Sequence, residues 1–298
     1  MITSQIKDKI ILYGNHISQP SRSVMWFMML NNIPFEFKLV RLEKLDHRGE
    51  EYKKINPMQQ IPSLTIIPDT SSSESVSTKS SSCHEEHIFE SQAILLHLFH
   101  RYRKSCKIPA HWYPDPHAHL TEHTRVNMYL NYHNSQLRPA VGGYVFAAAI
   151  GPTAFGMKRD ESNIRSLEKK THLVLKQLDT FWMNGAAILG NAPSSGQSLY
   201  LCGQAKISIA DLLCYNELMQ LTLLTDASTL WESEIYKPYS NVCKWLQLMS
   251  KTPEHDKVFK FLNILKEKVI QRTYIQTLNV VSENGDTSFL ATWIGIHM

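Results

Sequence analysis

The chain has 298 residues, 43% of them apolar and 19% charged, with a formal net charge of +4. At roughly 100–200 residues per domain that length suggests two domains, and the apolar share supports a core, which excludes a disordered polyelectrolyte. The absence of any run of five Lys/Arg argues against a nucleic-acid or anionic-membrane partner, and five cysteines without C-x-x-C spacing suit a reducing, cytoplasmic compartment.

The first residues, Met1 to Ile10, include Lys7, Asp8 and Lys9 and lack the long apolar stretch of a signal peptide. Ile10–Tyr13 then reads as a short buried strand, and Ser18-Gln19-Pro20-Ser21 as the start of a helix over Pro20–Leu30, with serine before a proline in the first turn. Phe35–Leu42 alternates as a strand does. His47–Ile55 reads as a short exposed helix stopped by Asn56-Pro57, and Ile61–Ile67 as a strand opening at Pro62. His87–Glu90 is a brief fourth strand, and Ser91 opens a helix to about Tyr102. Between the last two strands, residues 69–86 are serine-rich and aperiodic, so they predict a flexible hairpin insertion. The predicted order is βαβαββα.

After Pro109, Pro114 and Pro116 the pattern turns helical: Leu120–Leu137, Ser162–Met183, Ser208–Leu224, Tyr239–Ser250 and Pro253–Val269. Ser208–Leu224 is apolar almost all round and should be the buried central helix. Residues 192–199 look like a second small insertion. Pro139 to Met157 carries no charge and approaches the ~20 residues of a membrane span. Its glycines and Pro152 break it, so it predicts a buried helix end followed by a turn. The organisation expected is residues 1–104 as one domain, 105–117 as a linker, 118–270 as a helical domain and 271–298 as an extension.

Three motifs bear on chemistry. Ser208-Ile209-Ala210-Asp211 has the form of a capping box, a folding feature. His119-Leu120-Thr121-Glu122-His123 matches H-x-x-E-H, whose two histidines could hold zinc, but it sits at a helix start with no third ligand in view, and a solvated helix turn is the favoured reading. Ser18–Ser21 lies after the first strand at a helix N-terminus, where amide donors favour negative charge. An N-cap serine alone would account for it. A binding site gains support from Ile61-Pro62, where a cis proline would expose the Ile61 backbone, from Glu90-Ser91 at a second strand-to-helix junction, and from His47 and Gln60 beside them.

Taken together, Ser18–Arg22 (SQPSR), His47 before Asn56-Pro57, Gln59-Gln60-Ile61-Pro62, Glu90-Ser91-x-Ala93-Ile94 and SIAD followed by Glu217–Leu221 resemble the glutathione transferase family, most closely its theta class. The resemblance spans about Ile10 to Val269. It implies a thioredoxin-like N-terminal domain that binds glutathione as co-substrate, an α-helical C-terminal bundle that completes a pocket for a small electrophile, no metal, and a homodimer. Ser18 takes the position of the catalytic serine that donates to the glutathione sulfur. Ile61 pairs with the cysteinyl backbone, Glu90 and Ser91 hold the γ-glutamyl end, and His47 and Gln60 lie by the glycyl carboxylate. Gln60 stands where theta proteins often carry lysine, so a neutral hydrogen bond replaces an ion pair there. Arg138 matches an arginine of the theta fourth helix and is a candidate for the electrophile site, or else a surface helix-end arginine. The expected activity is conjugation of glutathione to electrophiles, with hydroperoxide reduction open to the same thiolate. Two alternatives share the fold: a catalytically silent protein-interaction module, and a thiol-disulfide oxidoreductase, which would need a cysteine where Ser18 or Ser21 stands.

Overall fold

The computed structural model describes residues 6–42, 44–69, 85–183 and 200–270, which fall into two compact units divided between Pro109 and Ala110. Most of the serine-rich insertion (70–84), the 192–199 insertion and the 271–298 extension lie outside the described residues.

The first unit runs β1 (Lys9–Gly14), α1 (Gln19–Leu30), β2 (Glu36–Leu39), α2 (Glu50–Ile55), β3 (Ser63–Ile67), β4 (Glu86–Phe89) and α3 (Ser91–Tyr102). The four strands form one sheet in the order β2-β1-β3-β4; β1 and β2 are parallel, and the other two pairings are antiparallel. This is the expected thioredoxin-like βαβαββα arrangement. Its core is aliphatic and aromatic: Leu12, Leu64 and Ile66 of the sheet, Val24, Trp26, Phe27 and Met28 of α1, and Ile94, Leu95 and Leu98 of α3 are fully buried. Burying each such side chain contributes roughly 1.5–3 kcal/mol.

β2 and the segment 46–55 differ most from the sequence pattern, each for a local reason. β2 stops at Leu39 because Asp46 reaches back to Arg41: its carboxylate accepts from the Arg41 amide at 3.0 Å and from Nε at 2.7 Å, turning the chain out of the sheet. The helix expected over His47–Ile55 is a 3-10 turn (Asp46–Arg48) followed by α2, separated by Gly49 in extended conformation.

The second unit is helical: α4 (Leu120–Tyr132), α5 (Arg138–Val145), α6 (Gly151–Phe155), α7 (Glu161–Gln177), α8 (Ile209–Met219), α9 (Ser240–Met249) and α10 (His255–Ile270). Pro139 does not end a helix. A π-helical turn at His133–Leu137 joins α4 to α5, and a second at Phe146–Ile150 joins α5 to α6. Each is followed, one residue later, by a proline (Pro139, Pro152). The i→i+5 bonds Arg138 N–H to His133 C=O and Gly151 N–H to Phe146 C=O shift the hydrogen-bond register ahead of a residue that has no N–H to give. The helical path therefore runs on to Gly156, whose left-handed backbone (φ 62°) ends it. Among the described residues no helix is long and apolar enough to cross a membrane.

α8 is the buried central helix, with every residue from Ile209 to Met219 inside. Its start is fixed by Asp211, which accepts from the Ser208 amide (2.8 Å), the Ser208 hydroxyl (2.8 Å), the Leu201 amide (2.9 Å) and Trp245 Nε1 (2.9 Å). Burial pushes the Asp211 carboxyl up to about 6, against the pull of these donors.

Asp211→Ala strands buried donors at ~1–3 kcal/mol each and should lower unfolding free energy by at least about 3 kcal/mol at neutral pH. Because the folded pKa lies above the unfolded one, the native state holds the extra proton between them, so Asp211 makes wild-type stability fall as pH rises from about 4 to about 6. Urea titrations across that window should show the stability advantage of wild type over Asp211→Ala narrowing as pH rises, because the buried histidines such as His16, whose lowered pKa values act in the opposite sense, contribute equally to both proteins.

Candidate functional site

The register of the sheet places the predicted site residues of the first unit at one edge. Tyr13 pairs with Ser63, and Ser63 pairs with Phe89, so the end of β1, the start of β3 and the end of β4 form one row. β2 runs parallel to β1 and ends opposite Gly14. Ser18 therefore follows the row on β1, Gln60 and Ile61 precede it on β3, Glu90 and Ser91 follow it on β4, and His47 lies on the segment that leaves β2 at the same edge. With strands ~4.8 Å apart, β1 to β4 is ~10 Å, close to the length of an extended tripeptide.

Ser18 is the N-cap of α1, and the turn that carries it is tightly held. The Ser18 amide donates to Asn15 C=O (3.0 Å), and its hydroxyl oxygen accepts from the Ser21 hydroxyl (3.0 Å) and the Ser21 amide (3.4 Å). The fully buried Arg22 donates through Nη1 to the carbonyls of His16 (3.2 Å) and Ile17 (2.8 Å), which shapes the loop from behind. Burial and then the Arg22 charge push the His16 imidazole down to about 4, leaving it neutral near pH 7. No acidic residue lies within the first turn of α1 or of α3, and Glu90 stands at the N-cap of α3.

The Ile61–Pro62 peptide is cis, and the Ile61 N–H and C=O make no hydrogen bond among the described residues. What fixes this turn is a buried polar group that sequence reasoning missed. Asn56 Nδ2 (2.7 Å) and the Tyr52 hydroxyl (2.7 Å) both donate to Gln60 C=O, and Asn56 Nδ2 also donates to Ser63 Oγ at 3.1 Å. The sequence presents Asn56 as a helix stop and as part of the Asn-Pro motif, not as a side-chain donor. The one available signal was a buried-type Asn-Pro beside a second polar-proline turn, and nothing in spacing reveals that the two join.

Glu90 caps α3 with φ 67° and ψ 113°, and no side-chain bond satisfies the helix start. A residue other than glycine in such a conformation marks a site held by its surroundings. His47 has a buried Nδ1 with no partner among the described residues, and burial, then the Arg48 charge, lowers its pKa. The edge thus offers a hydroxyl at one helix N-terminus, an unpaired peptide group, a second helix N-terminus with Ser91 in its first turn, and a neutral imidazole. That set fits an extended peptide with carboxylates.

Arg138 belongs to the other unit. Its Nη1 lies 2.9 Å from Glu217 Oε2, and Glu217 is fully buried while Arg138 keeps 42% of its side chain exposed. It is therefore the counter-ion of a core carboxylate as well as a partly exposed cation. His123 of the H-x-x-E-H sequence is engaged elsewhere: Nδ1 lies 2.9 Å from Pro114 C=O and the ring sits beside Tyr113. Among the described residues no group of three or more His, Cys, Asp or Glu is placed to hold a metal ion.

A thioredoxin-like unit followed by a helical unit, with this edge, defines the glutathione transferase fold, and comparison with known proteins agrees. Residues 17–101 match the family model for the glutathione S-transferase N-terminal domain. The chain is 30% identical over 262 residues to Glutathione S-transferase T2 of Arabidopsis thaliana, covering 87% of this chain and 38% of that protein. It is 29% identical over 273 residues to Glutathione S-transferase T1 of the same plant, covering 91% and 96%. Human glutathione transferase theta-2, solved in complex with glutathione and an unknown ligand, superposes with a TM-score of 0.67 at 23% identity over 91% of this chain and 97% of that one. The chain has the glutathione transferase fold and resembles the theta class in sequence.

The strain at Glu90 generates a prediction. A Cβ at this positive φ costs ~1–3 kcal/mol and glycine carries none, while the freer unfolded chain of glycine costs roughly 0.5–1 kcal/mol, so Glu90→Gly should raise the unfolding free energy by up to about 1 kcal/mol. Chemical denaturation of the variant checks it; a loss of stability would show that the Glu90 side chain holds the turn.

Proposed function

We propose that this protein is a glutathione transferase that binds glutathione along the Ser18–Ile61–Glu90 edge and activates its thiol for attack on a small electrophile. The single observation that carries the proposal is that Ser18 and the unpaired Ile61 peptide leave adjacent strands at one sheet edge, with the open start of α3 on the next strand. Ile61 pairs with the cysteinyl residue as an added strand would, and this lays the sulfur toward Ser18. The Ser91 hydroxyl and Glu90 take the γ-glutamyl end, where Glu90 supplies a counter-charge to the amino group. His47 and Gln60 face the glycyl carboxylate with neutral hydrogen bonds. Arg138, half-exposed and anchored by Glu217, is assigned to the electrophile.

A free thiol with pKa ~8.5 is only a few per cent ionised at pH 7. A hydroxyl donating to the sulfur, at the positive end of α1, stabilises thiolate over thiol; each pKa unit of lowering requires ~1.4 kcal/mol of that preference. The thiolate then displaces the leaving group or adds to the electrophilic carbon, and the thiol proton passes to solvent. Organic hydroperoxides are a second substrate class for the same nucleophile. We assign the protein to the cytoplasm, as a homodimer acting in detoxification. A silent interaction module of this fold would instead fail to be retained on immobilised glutathione.

The test is Ser18→Ala. Glutathione affinity should stay within a few-fold, because Ile61, Glu90 and Ser91 hold the peptide. kcat/KM at neutral pH should fall at least about tenfold, equivalent to ~1.4 kcal/mol of transition-state stabilisation, and recover at higher pH where the thiol ionises unaided. If Ser18 is an N-cap alone, the variant should lose roughly 1 kcal/mol of stability with its pH profile unmoved.

A further inference from the structure

A hydroxyl can serve a thiol or a thiolate equally well unless something decides which way its proton points. Ser18 has one proton and two lone pairs. In the structure both lone pairs face donors on one residue, the hydroxyl of Ser21 at 3.0 Å and the amide of Ser21 at 3.4 Å. The Ser18 proton has no acceptor among the described residues. Ser21 donates to Ser18, and its own oxygen accepts from the Asn15 amide at 3.4 Å. The chain of bonds runs in one direction, from the Asn15 amide through Ser21 to Ser18 and outward.

The packing around Ser21 is built for this contact. Ser21 is almost fully buried, and Asn15 is fixed by its Nδ2 donating to Val40 C=O at 3.1 Å and its Oδ1 accepting from the Ile17 amide at 3.0 Å. Gly14, at the end of β1, has no side chain where one would collide: a Cβ there would stand 2.9 Å from Ser21 Oγ and 3.0 Å from Ser21 Cβ. The glycine lets the Ser21 hydroxyl lie flat against the strand end and still reach Ser18.

We infer that Ser21 is a positioning residue for the reaction: by filling the acceptor sites of Ser18 it makes Ser18 a donor only, and so a ligand selective for thiolate. The inference rests on the proposed role of Ser18. Without the Ser21 hydroxyl, Ser18 has a vacant lone pair, can accept from the S–H of neutral glutathione, and loses the polarisation that a donor chain adds to its own O–H, typically ~10–30% per bond. Both changes favour thiol. No bond beyond hydrogen bonds forms or breaks in this step, and the thiol proton leaves to solvent as before.

The test measures the thiol pKa of bound glutathione directly, from the ultraviolet absorbance of the thiolate during pH titration, in the full-length chain saturated with glutathione. Ser21→Ala should raise that pKa by about half to one unit, a roughly three- to tenfold loss of thiolate below the pKa, and shift the acidic limb of kcat/KM equally. Ser21→Cys keeps the packing but replaces a strong donor by a weak one, and should shift the pKa in the same direction. Gly14→Ala should do so too, with the Ser21 hydroxyl present but displaced. In the Ser18→Ala background Ser21→Ala should add nothing, since Ser21 acts through Ser18. If Ser18→Ala moves the thiol pKa and the Ser21 and Gly14 variants do not, the positioning role is wrong and the Ser18 assignment stands. If Ser18→Ala leaves the pKa unmoved, both fail. A shift from Ser21→Ala that persists undiminished in the Ser18→Ala background would show that Ser21 meets the sulfur itself, which also overturns the inference.

Discussion

The direction in which β3 enters the sheet governs this protein's candidate site. β1 and β2 run parallel and finish at the same edge, and β3 begins opposite Tyr13, so antiparallel pairing carries its first residue, and the last residue of β4, to that edge. Loops that would otherwise be scattered over a sheet face are collected into one row. A shift of the β1–β3 register by one residue would turn Leu64 and Ile66 out of the core, so the burial of those side chains also fixes where Ile61 stands. The hydrophobic core and the site geometry are held by the same pairing.

Within that frame the loop shapes are set by buried polar groups. Arg22 holds the carbonyls of His16 and Ile17, Asn15 ties the end of β1 to Val40, and Asn56 with Tyr52 holds Gln60 C=O. A buried donor left without a partner costs ~1–3 kcal/mol, so each bond selects one loop conformation over alternatives that apolar packing would tolerate. In the helical unit Asp211 has the same function at the start of α8, as one carboxylate serving four donors. The exposed ends of the two networks differ. Around Ser18 and Ile61 they leave a proton and a peptide group unspent, whereas the bonds to Asp211 close on the fold itself.

How much of this could be seen in the sequence follows from the range of the forces involved. The IILY strand, the SQPSR helix start and the SIAD capping box were legible because each depends on neighbours within one turn or one strand. The π turns at His133–Leu137 and Phe146–Ile150 were not, because Pro139 and Pro152 signal helix breaks and the compensating i→i+5 register leaves no compositional mark. Glu90 reads as an ordinary strand end, and its positive φ is imposed by the β4–α3 junction rather than by residue type. The Asn56–Gln60–Ser63 group and the capture of Arg41 by Asp46 are side-chain choices among several polar neighbours, which spacing alone cannot rank. Ser21 stood in plain view inside the motif, yet its direction of donation needed the position of the Asn15 amide.

Whether glutathione lies along this one edge, as proposed, is read from amide chemical shifts recorded while glutathione is titrated into isotopically labelled protein. The amides of Ile61, Ser91 and the Asn15–Ser18 turn should shift together, with one saturation curve, while those at the opposite end of the sheet, Lys9 and Ile67, stay in place. Saturable shifts centred on Lys9 and Ile67, or binding that leaves Ile61 untouched, would contradict that placement.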